Sequence, residues 1–226
     1  SFVGTLFYAR YVDDIFVILT SLPSGCDDAK RFLARMQTIY GECGLTLKEE
    51  TDPKGKGILM DFTKPDQSCN PFDYLGYSIL IERKNRQLNA TFGLSENKKK
   101  HFKEKIDHIV THFENKSKSN IKEAYSDLFD SLNYITGNTK LFKSKARVKV
   151  GLYYNNDLLD KKEDLDALQQ HLRDRTIEPS HKATGWVECK AKISKKVAKI
   201  DFRKRWEQKK MFHFPLSRIQ EIEKWL

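Results

Sequence analysis

The sequence has no apolar run long enough to cross a bilayer. Its most hydrophobic stretch, residues 15–19, is strand length, and a spanning helix needs about 20 apolar residues. The N-terminus carries no charged n-region and no signal-peptide shape, and it lacks an initiator methionine; a fragment or a processed chain is expected. Cysteine is scarce. Cys26, Cys43, Cys69 and Cys189 form no CxxC pair, which excludes a zinc knuckle and a dense disulfide framework and leaves reduced thiols. There is no internal repeat and no low-complexity tract. What remains is a globular composition, with 39% hydrophobic and 32% charged residues, too apolar for a disordered chain.

The net charge of +10 is unevenly placed. Residues 1–94 hold 11 basic and 12 acidic side chains, whereas residues 95–226 hold 30 and 19. The first segment is near neutral and the second strongly basic. A basic domain attracts a polyanion, usually nucleic acid or an anionic membrane, with a lysine-rich solvated surface as the plainer reading.

The hydrophobic pattern divides at the same place. Residues 5–11 and 15–20 are rich in β-branched and aromatic side chains around the polar Val12-Asp13-Asp14, the pattern of a β-hairpin. Residues 27–40 predict an amphipathic helix with Phe32, Leu33, Met36, Ile39 and Tyr40 on one face, stopped by Gly41 and Gly44. Residues 45–49 and 57–62 read as short strands. Residues 72–82 and 87–92 read as a second hairpin turning at 83–86. After Leu94 the period becomes helical. A helix over 95–113, capped by Ser95, carries Phe102, Ile106, Ile109, Val110 and Phe113; a second over 120–136 ends at Gly137; a third covers 161–172. Residues 176–185 read as a loop, 190–199 as a lysine-dense stretch, and helical turns are expected within 200–211 and 217–226. The fold class is therefore α+β: a strand-rich region over 1–94, then a basic, mainly helical region over 95–226.

Tyr8-Ala9-Arg10-Tyr11-Val12-Asp13-Asp14-Ile15-Phe16-Val17-Ile18 is the stretch that carries chemistry. Two adjacent carboxylates between apolar strands repel one another. A divalent cation resolves that conflict, because Mg²⁺ takes hard oxygen ligands and is held by one or two carboxylates together with substrate phosphates. A pair of such ions about 3.5–4 Å apart can activate a hydroxyl and stabilise a leaving oxygen. By itself, Asp-Asp is also a good turn dipeptide.

The flanking residues decide between these readings. Tyr11-Val12-Asp13-Asp14 between two hydrophobic strands resembles motif C of the reverse transcriptase palm. Phe72-Asp73-Tyr74-Leu75-Gly76-Tyr77 resembles the primer-grip element, motif E, of bacterial and group II intron-type reverse transcriptases. Gly44-Leu45-Thr46-Leu47 resembles motif D. Tyr134-Ile135-Thr136-Gly137-Asn138 resembles a thumb element of the defence-associated bacterial enzymes. The resemblance implies a partial palm over 1–94 followed by a helical thumb with a C-terminal extension over 95–226.

It also implies roles. Asp13 and Asp14 are the catalytic carboxylates and the ligands of Mg²⁺, with Mn²⁺ as the alternative ion. Tyr11 and Val12 lie near the primer terminus. Leu75, Gly76 and Tyr77 form the primer grip, where a residue without Cβ allows close backbone approach. Lys98, Lys99 and Lys103, on the first thumb helix, face nucleic-acid phosphates. The implied partners are an RNA template, a DNA or RNA primer and deoxynucleotides, with a non-coding RNA or a partner protein as further candidates and no membrane; the implied location is the bacterial cytoplasm.

Two departures from the family pattern matter. The motif A aspartate and the fingers do not occur in these residues, so the chain alone is expected to be inactive. Motif D has Glu50 before Thr51 where relatives place lysine, so Lys48 becomes the candidate charge partner of the departing pyrophosphate, with a solvated strand-end lysine as the plainer reading. The alternatives to a polymerase are a nucleic-acid-binding fragment or half of a split enzyme, and a non-templated or protein-primed polymerase. His108 and His112 have zinc-chelating spacing without an evident third ligand. Trp186, Trp206 and Trp225 read as packing residues before base-stacking ones.

Overall fold

A computed structural model of the chain describes residues 4–11, 14–20, 27–47, 58, 70–85, 87–141, 148–177 and 184–226. Among them are seven helices and three small sheets, a mixed α+β architecture. The chain divides into two compact units, residues 1–74 with 80–90, and residues 75–79 with 91–226.

In the first unit, β1 (Gly4–Tyr11) and β2 (Asp14–Thr20) form an antiparallel pair in which Tyr11 faces Asp14 and Ala9 faces Phe16. The register slips once, between Thr5 and Phe7. Partners in register share a face and alternate residues change it, so Phe7, Ile18, Phe16, Tyr11 and Asp14 lie on one side and Tyr8, Val17 and Ile15 on the other. Phe16 meets Phe7 and Tyr74 at ring separations of 6.3 and 5.7 Å. α1 (Asp27–Glu42) half-buries Phe32, Leu33, Met36 and Tyr40 of its expected stripe and leaves Ile39 exposed. Its end is closed by Gly44, at φ +72°, with Leu45 N–H returning to the Tyr40 carbonyl. The strand expected over 45–49 does not form across Leu45–Leu47, which follow this closing turn as irregular chain; 48–49 and most of the strand expected over 57–62 lie outside the described residues.

The second predicted hairpin is interrupted. β3 (Phe72–Tyr74), β4 (Tyr77–Lys84) and β5 (Gln87–Leu94) make a three-stranded sheet in that order. Leu75 and Gly76 turn the chain between β3 and β4, with φ of +48° and +80°. Positive φ at both central residues is the signature of the primed two-residue hairpin turn. An apolar run that reads as one strand therefore becomes two. The outer turn occurs at Asn85, φ +51°, within the expected 83–86.

Every buried hydrophobic side chain among the described residues belongs to the second unit. α2 (Glu96–Lys116) starts at Ser95, whose hydroxyl accepts from Lys98 N–H, and buries Ile106, Ile109, Val110 and Phe113. α3 (Ile121–Thr136) starts at Asn120, which accepts from Glu123 N–H and donates back to its carboxylate, a reciprocal cap. It buries Leu128, Leu132 and Ile135 against α2. α4 (Glu163–Thr176) adds Leu165, Leu168 and Leu172. α5 (Thr184–Val197) adds Trp186, Ile193 and Val197, with Trp186 edge-on to Phe113 at 5.1 Å. Each such side chain contributes roughly 1.5–3 kcal/mol on burial. The lysine-dense stretch is thus the wet face of a helix whose other face is core. Two short helices, α6 (Phe202–Glu207) and α7 (Leu216–Glu223), complete the chain.

The end of α3 is tied to two distant segments. β6 (Asn138–Lys140) pairs with β7 (Lys149–Gly151), and Asn138 bridges to Met211. Buried Asn138 accepts at Oδ1 from Tyr153 N–H and donates from Nδ2 to the Lys210 carbonyl. Gly151, at φ +131°, passes so close that a Cβ there would lie 2.3 Å from the Gly137 carbonyl oxygen.

Candidate functional site

The β1–β2 hairpin is tight. Tyr11 and Asp14 are register partners, so residues 12 and 13 alone connect the strands. Val12, Asp13 and Lys48 lie outside the described residues. Asp14 opens β2, half-buried, on the same face as Phe16; Tyr11 is 62% exposed. On the opposite face the Tyr8 and Tyr40 hydroxyls meet at 3.4 Å, and this hydrogen bond raises the Tyr40 pKa above its ordinary value. Among the described residues no group of three His, Cys, Asp or Glu side chains could hold a metal ion. The donor chemistry of the motif remains that of a hard cation: Asp13 and Asp14 would hold it through carboxylate oxygens.

The Leu75–Gly76–Tyr77 element forms one constellation with the start of α2 and the 152–160 segment. The Gly76 carbonyl accepts from Ser95 N–H at 3.1 Å, just before α2 begins. Lys98 lies over Gly76, its Cδ 3.2 Å from where a Cβ would stand, and its ammonium sits 5.0 Å from the Tyr77 ring centre. That ammonium donates to the Asn155 carbonyl at 3.0 Å, and burial lowers its pKa. The Tyr77 hydroxyl accepts from Leu158 N–H at 3.4 Å, and Phe92 packs edge-on against its ring at 5.9 Å. Burial raises the Tyr77 pKa, against the opposing pull of the Leu158 N–H. Leu75 itself stays 44% exposed at the tip of the turn. The turn is therefore braced from behind and open at its front, the geometry of a fixed backbone edge offered outward.

The three candidate lysines of α2 do not share one environment. Lys98 is engaged by the turn. Lys99 is paired with Glu96 at 2.5 Å and with Asp164 at 3.4 Å. Lys103 is exposed to solvent. Of the three, Lys103 is the one whose charge faces outward without these internal partners.

The polar cluster around Asp127 is not among the sites expected from the sequence. This carboxylate is 3% exposed and accepts from Lys116 Nζ at 2.8 Å, His112 Nε2 at 3.1 Å and Arg218 at 2.7 Å. Burial works to raise its pKa, but the bonds from Lys116, His112 and Arg218 outweigh it and hold the group below its ordinary value. A signal did exist: Asp127 stands between Ala124 and Leu128 on the buried stripe of α3, where a lone charge demands partners. His112 is thereby used, and Trp225 stacks on it; the His108 ring meets the Leu226 carbonyl oxygen at 3.0 Å. The histidine pair is a docking surface for the C-terminal segment rather than a zinc site.

The Tyr134–Asn138 stretch also joins distant chain. Tyr134 Oη donates to Glu223 at 2.5 Å, Thr136 bonds Arg205, and Asn138 holds 153 and 210. No helix among the described residues is long and apolar enough to cross a membrane. No family model, curated protein or solved structure matches this chain.

Proposed function

We propose that the chain is the motif C to motif E part of a reverse transcriptase palm followed by its thumb, and that the complete enzyme is an RNA-directed DNA polymerase. The observation that supports this best is the register of the first hairpin. With Tyr11 opposite Asp14, Asp14 opens β2 directly after the two residues that join the strands, so the Asp13-Asp14 pair stands at the tip of a hairpin of apolar strands, which suits the motif C reading. The braced Leu75–Gly76 turn suits a primer grip, since its front is open and its backbone is held by Ser95 and Lys98. The basic excess of 95–226 suits a duplex-holding thumb.

The hairpin further suits a site with another layer. A two-stranded hairpin is marginal alone, and Phe7, Tyr11 and Ile18 are exposed on one face. In this reading a palm strand bearing the motif A aspartate covers that face and adds the third carboxylate. Bound Mg²⁺ would supply charge neutralisation at the nucleotide phosphates. The chain's own part is to orient: Asp13 and Asp14 present oxygens at the tip, Tyr11 borders the primer terminus, and the 75–77 turn fixes the primer backbone. Catalysis of this kind is mostly positioning and electrostatics.

The test is primer extension on an RNA template with deoxynucleotides and Mg²⁺. It compares the chain alone, the chain in its full reading frame, and that frame carrying Asp13→Asn. Product from the full frame, lost on substitution, is expected; an inactive full frame that still binds duplex would favour a binding module without catalysis.

A further inference from the structure

Beyond the palm-like residues, the second unit carries aromatic rings interleaved with basic side chains. Tyr153, Tyr154, Trp206 and Phe212 are all half-exposed. Each has a cation over its face. Lys149 Nζ lies 5.2 Å from the Tyr154 ring centre, Lys209 Nζ 4.4 Å from Tyr153 and Lys162 Nζ 3.5 Å from Trp206. The Arg205 guanidinium and Lys210 Nζ lie 5.0 and 5.9 Å from Phe212.

These rings form a connected surface. Tyr153 meets Tyr154 edge-on at 5.3 Å and Trp206 at 5.1 Å. One residue fixes the two segments together: Asn138 receives Tyr153 N–H on its side chain and Phe212 N–H on its carbonyl. Trp206 is anchored by donating Nε1–H to the Asn156 carbonyl at 3.0 Å. Lys149, Lys209 and Lys210 are exposed and make no ion pair among the described residues. The acidic groups Asp160, Glu163 and Glu207 act on Lys162, and Asp201 acts on Arg205.

We propose that this surface binds single-stranded nucleic acid, with unpaired bases stacking on Tyr153 and Tyr154 and phosphates meeting Lys149, Lys209 and Lys210. An exposed cation on a ring is a weak contact and exchanges readily. A lysine lifted off its ring keeps its charge for a phosphate, and the uncovered ring face accepts a base. Stacking of this kind tolerates any base, because every base has a π face. A duplex already stacks its own bases and would use only the charges. The surface needs no metal and no primer terminus, so it stands apart from the polymerase reading.

The test is fluorescence anisotropy of a labelled oligouridylate of about 15 nucleotides with the full chain, in about 50–200 mM salt. Tyr153→Leu/Tyr154→Leu is expected to weaken binding about thirtyfold or more, the loss of two stacked bases, with the salt dependence unchanged. Lys209→Gln/Lys210→Gln is expected to lower the log–log salt slope by about 1.4, near 0.7 per lost phosphate contact. A blunt duplex of equal length should compete poorly. The proposal is overturned if the wild-type chain does not bind, if the tyrosine variant binds like wild type, or if the duplex competes as well as the single strand. The duplex competition needs no variant, so it decides the matter even if a substitution unfolds the chain.

Discussion

Trp225 lies flat on the His112 imidazole, ring centres 4.1 Å apart and planes 4° from parallel. The same imidazole bonds Asp127 through its edge. One histidine on α2 therefore links the last residues of the chain to a buried carboxylate on α3, and Arg218 of α7 reaches that carboxylate from the other side.

Asp127→Asn should cost about 3 kcal/mol, because it leaves Lys116, His112 and Arg218 around a neutral group. The pH dependence has a definite sign. A carboxyl whose folded pKa is depressed gives stability that is present above its unfolded value, about 3.9, and lost as pH falls through the folded one. Denaturant melts between about pH 3 and 7 should show this acid loss in wild type and a flatter profile in the variant. Equal profiles would remove Asp127 from the account.

Tyr134→Phe should cost about 1 kcal/mol through loss of the Glu223 hydrogen bond. Burial, reinforced by Glu223, raises the Tyr134 pKa. A raised folded pKa means the contribution is complete below the unfolded value of about 10 and declines as pH rises through the folded one. The variant's alkaline limb should therefore be the shallower of the two in thermal melts.

Gly76→Ala should destabilise by about 1–2 kcal/mol, the cost of a Cβ at positive φ, and more where Lys98 cannot move aside. Lys98→Ala removes that obstruction and the Asn155 bond together. The double variant should be less destabilised than the two single effects added, and a double-mutant cycle by urea unfolding measures the difference. Strict additivity would mean that the lysine does not brace the turn.

Asp14→Asn, in the full reading frame, should lower primer extension about a hundredfold or more, beyond the loss typical of a residue that merely supports a metal ligand. Its melting should stay within about 0.5 kcal/mol of wild type, as for substitutions away from a core. A variant that extends primers normally would sink the motif C reading.

Periodicity made the helical half legible. Ser95 and Asn120 are visible as caps, and the stripe of Ile106, Ile109, Val110 and Phe113 is the stripe that is buried. Local signals were weaker wherever a long-range partner decides the conformation. Gly76 is the one local signal of positive φ, and Leu75 beside it carries none, so residues 72–82 read as one strand. Lysines hid α5, since Trp186, Ile193 and Val197 recur at helical spacing within a stretch that composition alone marks as solvated. At the candidate site the hairpin follows from two apolar runs around a polar turn, but the pattern places that turn over 12–14, whereas Asp14 opens β2 opposite Tyr11. The bracing of Gly76 by Lys98 and of Tyr77 by Leu158 joins residues far apart in sequence, and no local pattern encodes it.

The crossing at Gly137 and Gly151 has a genetic consequence. Beside Gly137 the two closest atoms to an added methyl belong to the Phe212 ring, at 2.3 and 2.5 Å, with the Asn133 carbonyl oxygen next at 2.9 Å. Beside Gly151 the closest two are backbone atoms of Gly137 and Asn138. Trimming Phe212 to alanine would thus act as a partial second-site suppressor of Gly137→Ala. No change of side chain elsewhere could suppress Gly151→Ala, because what stands in its way is main chain.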